Sequence, residues 1–433
     1  VKRFLFLLLA LSVVPLAVLG RPAAAQGGIS VSAQDVSNEF PNGAVFHVSA
    51  TSDAEITEVT LRYEVAPDGS RAYGVAECTG VTSVDCSFNL ESDGDMLLIP
   101  GAEITYFWEL TDAAGNDLET DPIVYVYEDN RFSWQSETEG NLTVWFYSAD
   151  EEKVRNVLQV GLETLDRMGG LLGAQIDSPV KVFYYDSAQD MREAIGVQSD
   201  TPDRGVITLG EVVFSDTALV SDDVAPLDIL RHELTHVVMR QAVEGALVEV
   251  PAWLEEGTAV YAQNNRLGGV DEALQQAIDR NEVFSVRALT SSSLGRLGTN
   301  VSLFYGQSWS LVSFLIDEFG PDDFGELFAV LREGTTVDEA LQRVYGFDQD
   351  GLDNAWRQSV GLPPREVVEP TQEPAEAAVP ATPAPAEEGP QALPENGGDE
   401  GTPIAVVVIV AALTVALAGA LVTAGIVVVR RSR

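Results

Sequence analysis

His232-Glu233-Leu234-Thr235-His236 sits inside 226–243, a helix candidate that opens on Pro226, a residue tolerated in the first turn. Positions i and i+4 lie one turn apart on the same helix face, so both imidazoles can reach one ion. Glu233 is rotated to the side, where it can touch a water beside that ion rather than the ion itself. The chain holds three histidines, and two of them are here. Leu230, Leu234, Val237 and Val238 are apolar neighbours, which predicts a buried helix. Burial is an expensive place for two imidazoles without a partner. The third histidine, His47, falls in an alternating strand pattern and reads as an ordinary strand residue.

A second helix is expected over 251–261, Pro251-Ala252-Trp253-Leu254-Glu255-Glu256-Gly257-Thr258-Ala259-Val260-Tyr261, and Glu256 stands 20 positions after His236. In the thermolysin and membrane-alanyl-aminopeptidase clan, a glutamate on the next helix supplies a third zinc ligand at about this distance. The Trp-Leu-x-Glu-Gly context of Glu256 closely resembles that clan's second motif. Residues of roughly 140–360 therefore resemble a gluzincin zinc metallopeptidase, in particular the bacterial peptidase MA-like family.

The resemblance implies an α+β zincin-like domain that hydrolyses peptide or protein substrates. It assigns His232, His236 and Glu256 to Zn2+ and makes Glu233 the general base. Glu255 is the neighbour most easily confused with the ligand. The anionic tetrahedral oxygen of such a reaction needs a donor besides the metal. Tyr305, in Phe304-Tyr305-Gly306-Gln307-Ser308-Trp309, is the candidate, because relatives carry a similar Tyr-x-Gln segment. An amphipathic core tyrosine is an equally good reading of Tyr305, and Tyr261 is a weaker catalytic candidate. Residues 205–210 lie where this clan places the strand that pairs with extended peptide. The Gly-x-Met-x-Asn signature of the aminopeptidase branch is missing, which tilts the expectation towards an endopeptidase.

Around this centre, 131–361 reads as a mixed sheet followed by helices. Strands are expected at 142–147, 180–185 and 205–210, and a helix over 150–173. Upstream, 27–130 shows short alternating strands separated by turn signals, which predicts an all-β immunoglobulin-like sandwich. The Trp108…Asp112-Ala113-Ala114-Gly115-Asn116 pattern resembles exported immunoglobulin-like or fibronectin-like modules. Cys78 and Cys86, the two cysteines, have the spacing of a disulfide closing a small loop or hairpin, with two free thiols as the alternative.

The ends suggest placement. Residues 1–25 read as a signal peptide, with Lys2 and Arg3 before an apolar run and Ala23-Ala24-Ala25 for cleavage. Residues 362–402 form a Pro/Glu/Ala-rich stalk without the apolar content for a core. Residues 403–429 are expected to form one transmembrane helix, followed by a basic tail at 430–433 that the positive-inside rule puts in the cytoplasm. Leu393-Pro394-Glu395-Asn396-Gly397 resembles a sortase sorting signal, with Asn396 where threonine is usual; plain membrane anchoring is the stronger expectation.

Composition narrows the class. The chain carries 25 Lys+Arg against 67 Asp+Glu, a net charge of −42. Such a surface repels nucleic acid and anionic lipid. The expected function is thus a membrane-anchored extracytoplasmic zinc metallopeptidase. The competing expectation is a cell-surface binding or adhesion protein whose sandwich engages a ligand and whose zinc site is structural. No ligand for the sandwich is legible.

Overall fold

Alternation of apolar and polar residues builds the N-terminal unit. The computed structural model describes residues 28–66, 70–92, 98–195, 206–208, 210–212, 215–243, 250–266, 269–290, 300–365 and 407–409. The chain divides into two compact units, Val1–Arg131 and Phe132–Arg433. In the first, β1 (Ser30–Asn38), β2 (Gly43–Thr51), β5 (Glu77–Gly80) and β6 (Ser83–Glu91) form an antiparallel sheet in the order β1-β2-β6-β5. A second antiparallel sheet is built from β3 (Ile56–Ala66), β4 (Ser70–Val75), β7 (Glu103–Asp112) and β8 (Asp117–Glu119), ordered β4-β3-β7-β8. A further strand, β9 (Ile123–Val126), also pairs with β7. The inward faces meet. Phe46 of β2 packs edge-on against Tyr106 of β7 at 4.8 Å, and Tyr63 of β3 lies 6.1 Å from Phe88 of β6. Cys78 and Cys86 are directly opposed on β5 and β6 and joined by a disulfide.

The second unit begins with β10 (Gln135–Glu139), β11 (Leu142–Phe146) and α1 (Glu151–Leu172). The carboxylate of Asp150 accepts from Lys153 N to start α1, and left-handed Gly173 ends it. Next come β12 (Val180–Tyr185), α2 (Ala188–Ile195), β13 (Val206–Thr208), β14 (Gly210–Val212) and β15 (Thr217–Ser221). The sheet order is β10-β11-β12-β15-β14. β11, β12 and β15 run parallel, and the edge strands β10 and β14 run antiparallel to their neighbours. The expected strand over 205–210 is thus two short pieces in different sheets.

The helical half comprises α3 (Pro226–Ala242), α4 (Ala252–Ala262), α5 (Val270–Arg280), α6 (Val301–Phe319), α7 (Pro321–Arg332), α8 (Val337–Tyr345) and α9 (Gln349–Ser359). One core joins sheet and helices. Val144, Val182, Leu234, Val237, Val238, Trp253, Leu254 and Trp356 are all buried in it.

The signal-peptide reading (1–25), most of the stalk and the basic tail lie outside the described residues. Of the expected transmembrane stretch, only Val407–Ile409 is described. It is a short strand, β16, parallel to β13, where the sequence predicted helix. Among the described residues no helix is long and apolar enough to cross a membrane.

Candidate metal centre

Helix α3 is covered by α1, α4 and the strands β14 and β15, so most of it is buried, polar motif residues included. His232, Glu233 and His236 are all fully inaccessible. Asp228, in the first turn of α3, fixes its start. Its carboxylate accepts from Arg231 Nη1 (3.0 Å), from the backbone N of Asn264 (2.8 Å) and from Asn265 Nδ2 (3.0 Å). Because Asn264 and Asn265 follow α4, this carboxylate ties the start of one motif helix to the end of the other.

Helix α4 then carries Glu256 to the two imidazoles. Its close approach to α6 requires Gly257, where a Cβ would lie 2.3 Å from the carbonyl oxygen of Ser308. Within α6, the side chain of Gln307 donates to Phe284 O (2.8 Å) and accepts from Phe284 N (2.9 Å), which holds the preceding chain against the helix.

Glu256 Oε2 lies 3.3 Å from His232 Nε2 and 3.8 Å from His236 Nε2. Ligand atoms around a tetrahedral zinc, bound at about 2.0–2.1 Å, stand about 3.3 Å apart. The trio therefore fits such an ion, with one nitrogen slightly far. It is also the one such His/Cys/Asp/Glu group among the described residues, its ligand atoms within 4.8 Å of one another. Both ring nitrogens of His232 and His236, and Oε2 of Glu256, are buried without a hydrogen-bond partner. An unpaired buried polar group costs roughly 1–3 kcal/mol. Structural zinc in small zinc-finger peptides contributes on the order of 10 kcal/mol, so a bound ion could offset several such groups.

The electrostatics match. Burial pushes the carboxyl of Glu256 up to about 8, aided by Glu255 and opposed by His236. Burial pushes His232 down to about 3, against the pull of Glu255. Both shifts mark a pocket that keeps its groups neutral when it holds no cation. Glu255 behaves differently. Burial alone would raise its carboxyl, but the contact with His236 and the charges of His236, Arg240 and His232 outweigh it and hold it below the ordinary range.

Glu233 points towards the sheet edge. A Cβ on Gly210 of β14 would stand 2.8 Å from both Cγ and Oε1 of Glu233, so only glycine leaves room for this carboxylate beside the strand. Tyr305, in the first turns of α6, is 8% exposed, and its ring lies 6.4 Å from that of His232. Its hydroxyl is raised well above its ordinary value by burial and by Glu256, Glu233 and Glu255. The fold thus gathers Tyr305, Glu233 and the trio in one place. Tyr261 lies elsewhere: with Arg266, Trp309 and Trp356 it lines a cavity of about 520 Å³ that none of those residues borders. His47 sits on β2, with Nε2 3.3 Å from Ser37 Oγ.

Sequence reasoning missed Asp228 and Gly210, and it quoted Gln307 in the Tyr-x-Gln segment without giving it a role. An acid in a first helical turn hints at Asp228. Nothing local points to Gly210 or to the task of Gln307, because their partners are distant in the chain.

Residues 161–361 match the Peptidase MA superfamily. No curated protein matches the chain. Among solved structures, an M1 zinc metallopeptidase from Deinococcus radiodurans is 12% identical over 79% of this chain and 97% of that one, with a TM-score of 0.36. A carbohydrate-binding module family 56 β-1,3-glucan binding domain is 17% identical over 22% of this chain and 96% of its own, at 0.15. OgpA from Akkermansia muciniphila is 11% identical over 24% of this chain and 30% of its own, at 0.20.

Proposed function

We propose, from the premise that residues 161–361 belong to the Peptidase MA superfamily, that the chain is a zinc-dependent metallopeptidase. The observation that carries the reading is the buried trio His232, His236 and Glu256, whose donor atoms converge without other partners, with Glu233 on the same helix. A zinc ion held by that trio would supply a Lewis acid for the scissile carbonyl and bring the pKa of a water to about 7.

The protein's own groups do the rest. Glu233 takes the proton of the attacking water and hands it to the departing amine, a positioned acid–base role. The hydroxyl of Tyr305 donates to the oxygen that gains charge as the carbonyl becomes tetrahedral. Its raised pKa keeps the proton on that hydroxyl at neutral pH. Edge strand β14, whose Gly210 adjoins Glu233, holds extended substrate by main-chain pairing. The buried Glu233 supports catalysis over a purely structural metal, which has no use for a base.

The apolar run Ile404–Val429, followed by Arg430, Arg431 and Arg433, supports a single membrane anchor with the acidic body outside the cytoplasm. Cleavage of an unbiased peptide mixture by the chain, beside its Glu233→Gln form, tests the enzyme reading. Cleavage by the unaltered chain, reduced on the order of 10²–10⁴-fold in the variant, is the expected result. Equal cleavage by both sinks it. The product ends distinguish internal cutting from trimming.

A further inference from the structure

One face of α6 lines the cavity of about 520 Å³ with two rows of side chains, each spaced i, i+4, i+8. Trp309, Ser313 and Asp317 form one row; Ser310, Phe314 and Glu318 form the other. Trp356 of α9 is fully buried behind them, fixed by donating its Nε1–H to Ser310 Oγ (3.0 Å). We propose that this cavity is a docking site for an arginine side chain of a polypeptide, outside the metal centre.

The cavity already holds a guanidinium of its own. Arg266 lies 3.8 Å from the centroid of the Trp309 ring. Its Nε and Nη2 donate to the two oxygens of Asp271, at 2.6 and 3.1 Å. A planar cation can rest on an aromatic face and fork onto a carboxylate at the same time, which an ammonium does less well. Further along the rows the same two elements recur without a cation. Phe314 is half-buried, and Asp317 and Glu318 follow within about one turn of it. Both acids are exposed, and neither makes a hydrogen bond or ion pair among the described residues. Exposed acids alone say little on a chain of net charge −42. The aromatic wall beside them is what suits a cation on an apolar stem. The volume falls in the range of roughly 300–1,000 Å³ that takes small molecules, enough for a side chain and its neighbours. The same net charge repels a second copy of the chain and attracts a basic polypeptide. Tyr305 precedes Trp309 by four residues, so the cavity begins about one turn, ~5–6 Å, along α6 from the metal centre. In calling the docked polypeptide a substrate, the inference rests on the metallopeptidase reading; the binding itself does not.

The test uses the full chain in its Glu233→Gln form, which suppresses turnover, and fluorescent pentapeptides that differ only in a central arginine, lysine or citrulline. Anisotropy reads their binding. The arginine peptide is expected to bind tightest. Asp317→Asn with Glu318→Gln weakens it about tenfold, to the level of the neutral citrulline peptide. Asp322→Asn with Asp323→Asn, which removes two exposed acids at the start of the next helix, changes it by less than about twofold. In the active chain, the first pair of substitutions raises KM for arginine-bearing substrates. Citrulline or lysine peptides that bind as tightly as the arginine peptide overturn the proposal. An equal loss in both double variants also overturns it, by making the effect one of overall charge. Self-association of the chain that the first double variant abolishes overturns it too, by making the occupant a second copy. A chain that cleaves nothing overturns the metallopeptidase reading alone, because the binding comparison needs no cleavage.

Discussion

Two buried carboxylates, one in each unit, meet opposite fates. Asp112 closes the β7–β8 turn of the sandwich at 3% exposure; Glu256 lies in the second unit at 4%. The carboxylate of Asp112 accepts from Asn116 Nδ2 (2.9 Å), Ser52 Oγ (2.7 Å), Asn116 N (2.9 Å) and Ala114 N (3.0 Å). Those bonds, led by the ones from Asn116 and Ser52, hold its carboxyl down to about 2. Burial lifts Glu256 to about 8, and its Oε2 has no hydrogen-bond partner. The contrast recurs inside the second unit, where Asp228 is equally buried and accepts from three donors. The fold can supply partners for a buried charge, and does so where the charge is structural. Where it withholds them, beside two imidazoles, the donor set is one that could hold a metal ion.

That comparison can be broken at either end. The largest effect is expected from Glu256→Gln, which keeps the shape and removes the charge: zinc affinity should fall by more than about 100-fold, beyond the loss of an outer-sphere partner. Chelator competition reads it, and undiminished affinity would equate Glu256 with an ordinary buried acid. Tyr305→Phe should lower kcat by about 10²–10³-fold with KM little changed. An unchanged kcat would reduce Tyr305 to a core residue.

Gly257→Ala should cost about 1–3 kcal/mol or more by forcing α4 and α6 apart, seen as a lower Tm. The smallest effect belongs to Asp112→Asn, which should lower the thermal stability of the chain and leave cleavage unchanged. Its pH dependence has a definite sign. The folded pKa of Asp112, about 2, is below the ordinary 3.8, so its contribution is complete above 3.8 and disappears as pH falls through about 2. The variant should lack that acid limb, and an identical acid limb in both forms would show that Asp112 does not hold the turn.

The parts legible in the sequence were those encoded by local period or short spacing. Alternation exposed the strands of the first unit, and the i, i+4 histidines exposed α3. Long-range pairing was not legible. The strand expected over 205–210 divides because Val206–Thr208 and Gly210–Val212 pair with different partners, Val407–Ile409 and β15. Spacing also could not separate Glu255 from Glu256, because adjacent residues differ only in direction around the helix. The two sides of the His236 ring separate them. Gly210 was silent, and Asp228 hinted only at a helix start, because their partners, Glu233 and Asn264–Asn265, are brought to them by the tertiary fold.

The central claim is that the buried trio holds a metal ion, and the most direct measurement is the zinc content of the purified chain beside its His232→Ala form. The account predicts one zinc per chain, lost from the variant while the sandwich stays folded. Zinc absent from the unaltered chain after exposure to the metal, or retained equally by the variant, would contradict it.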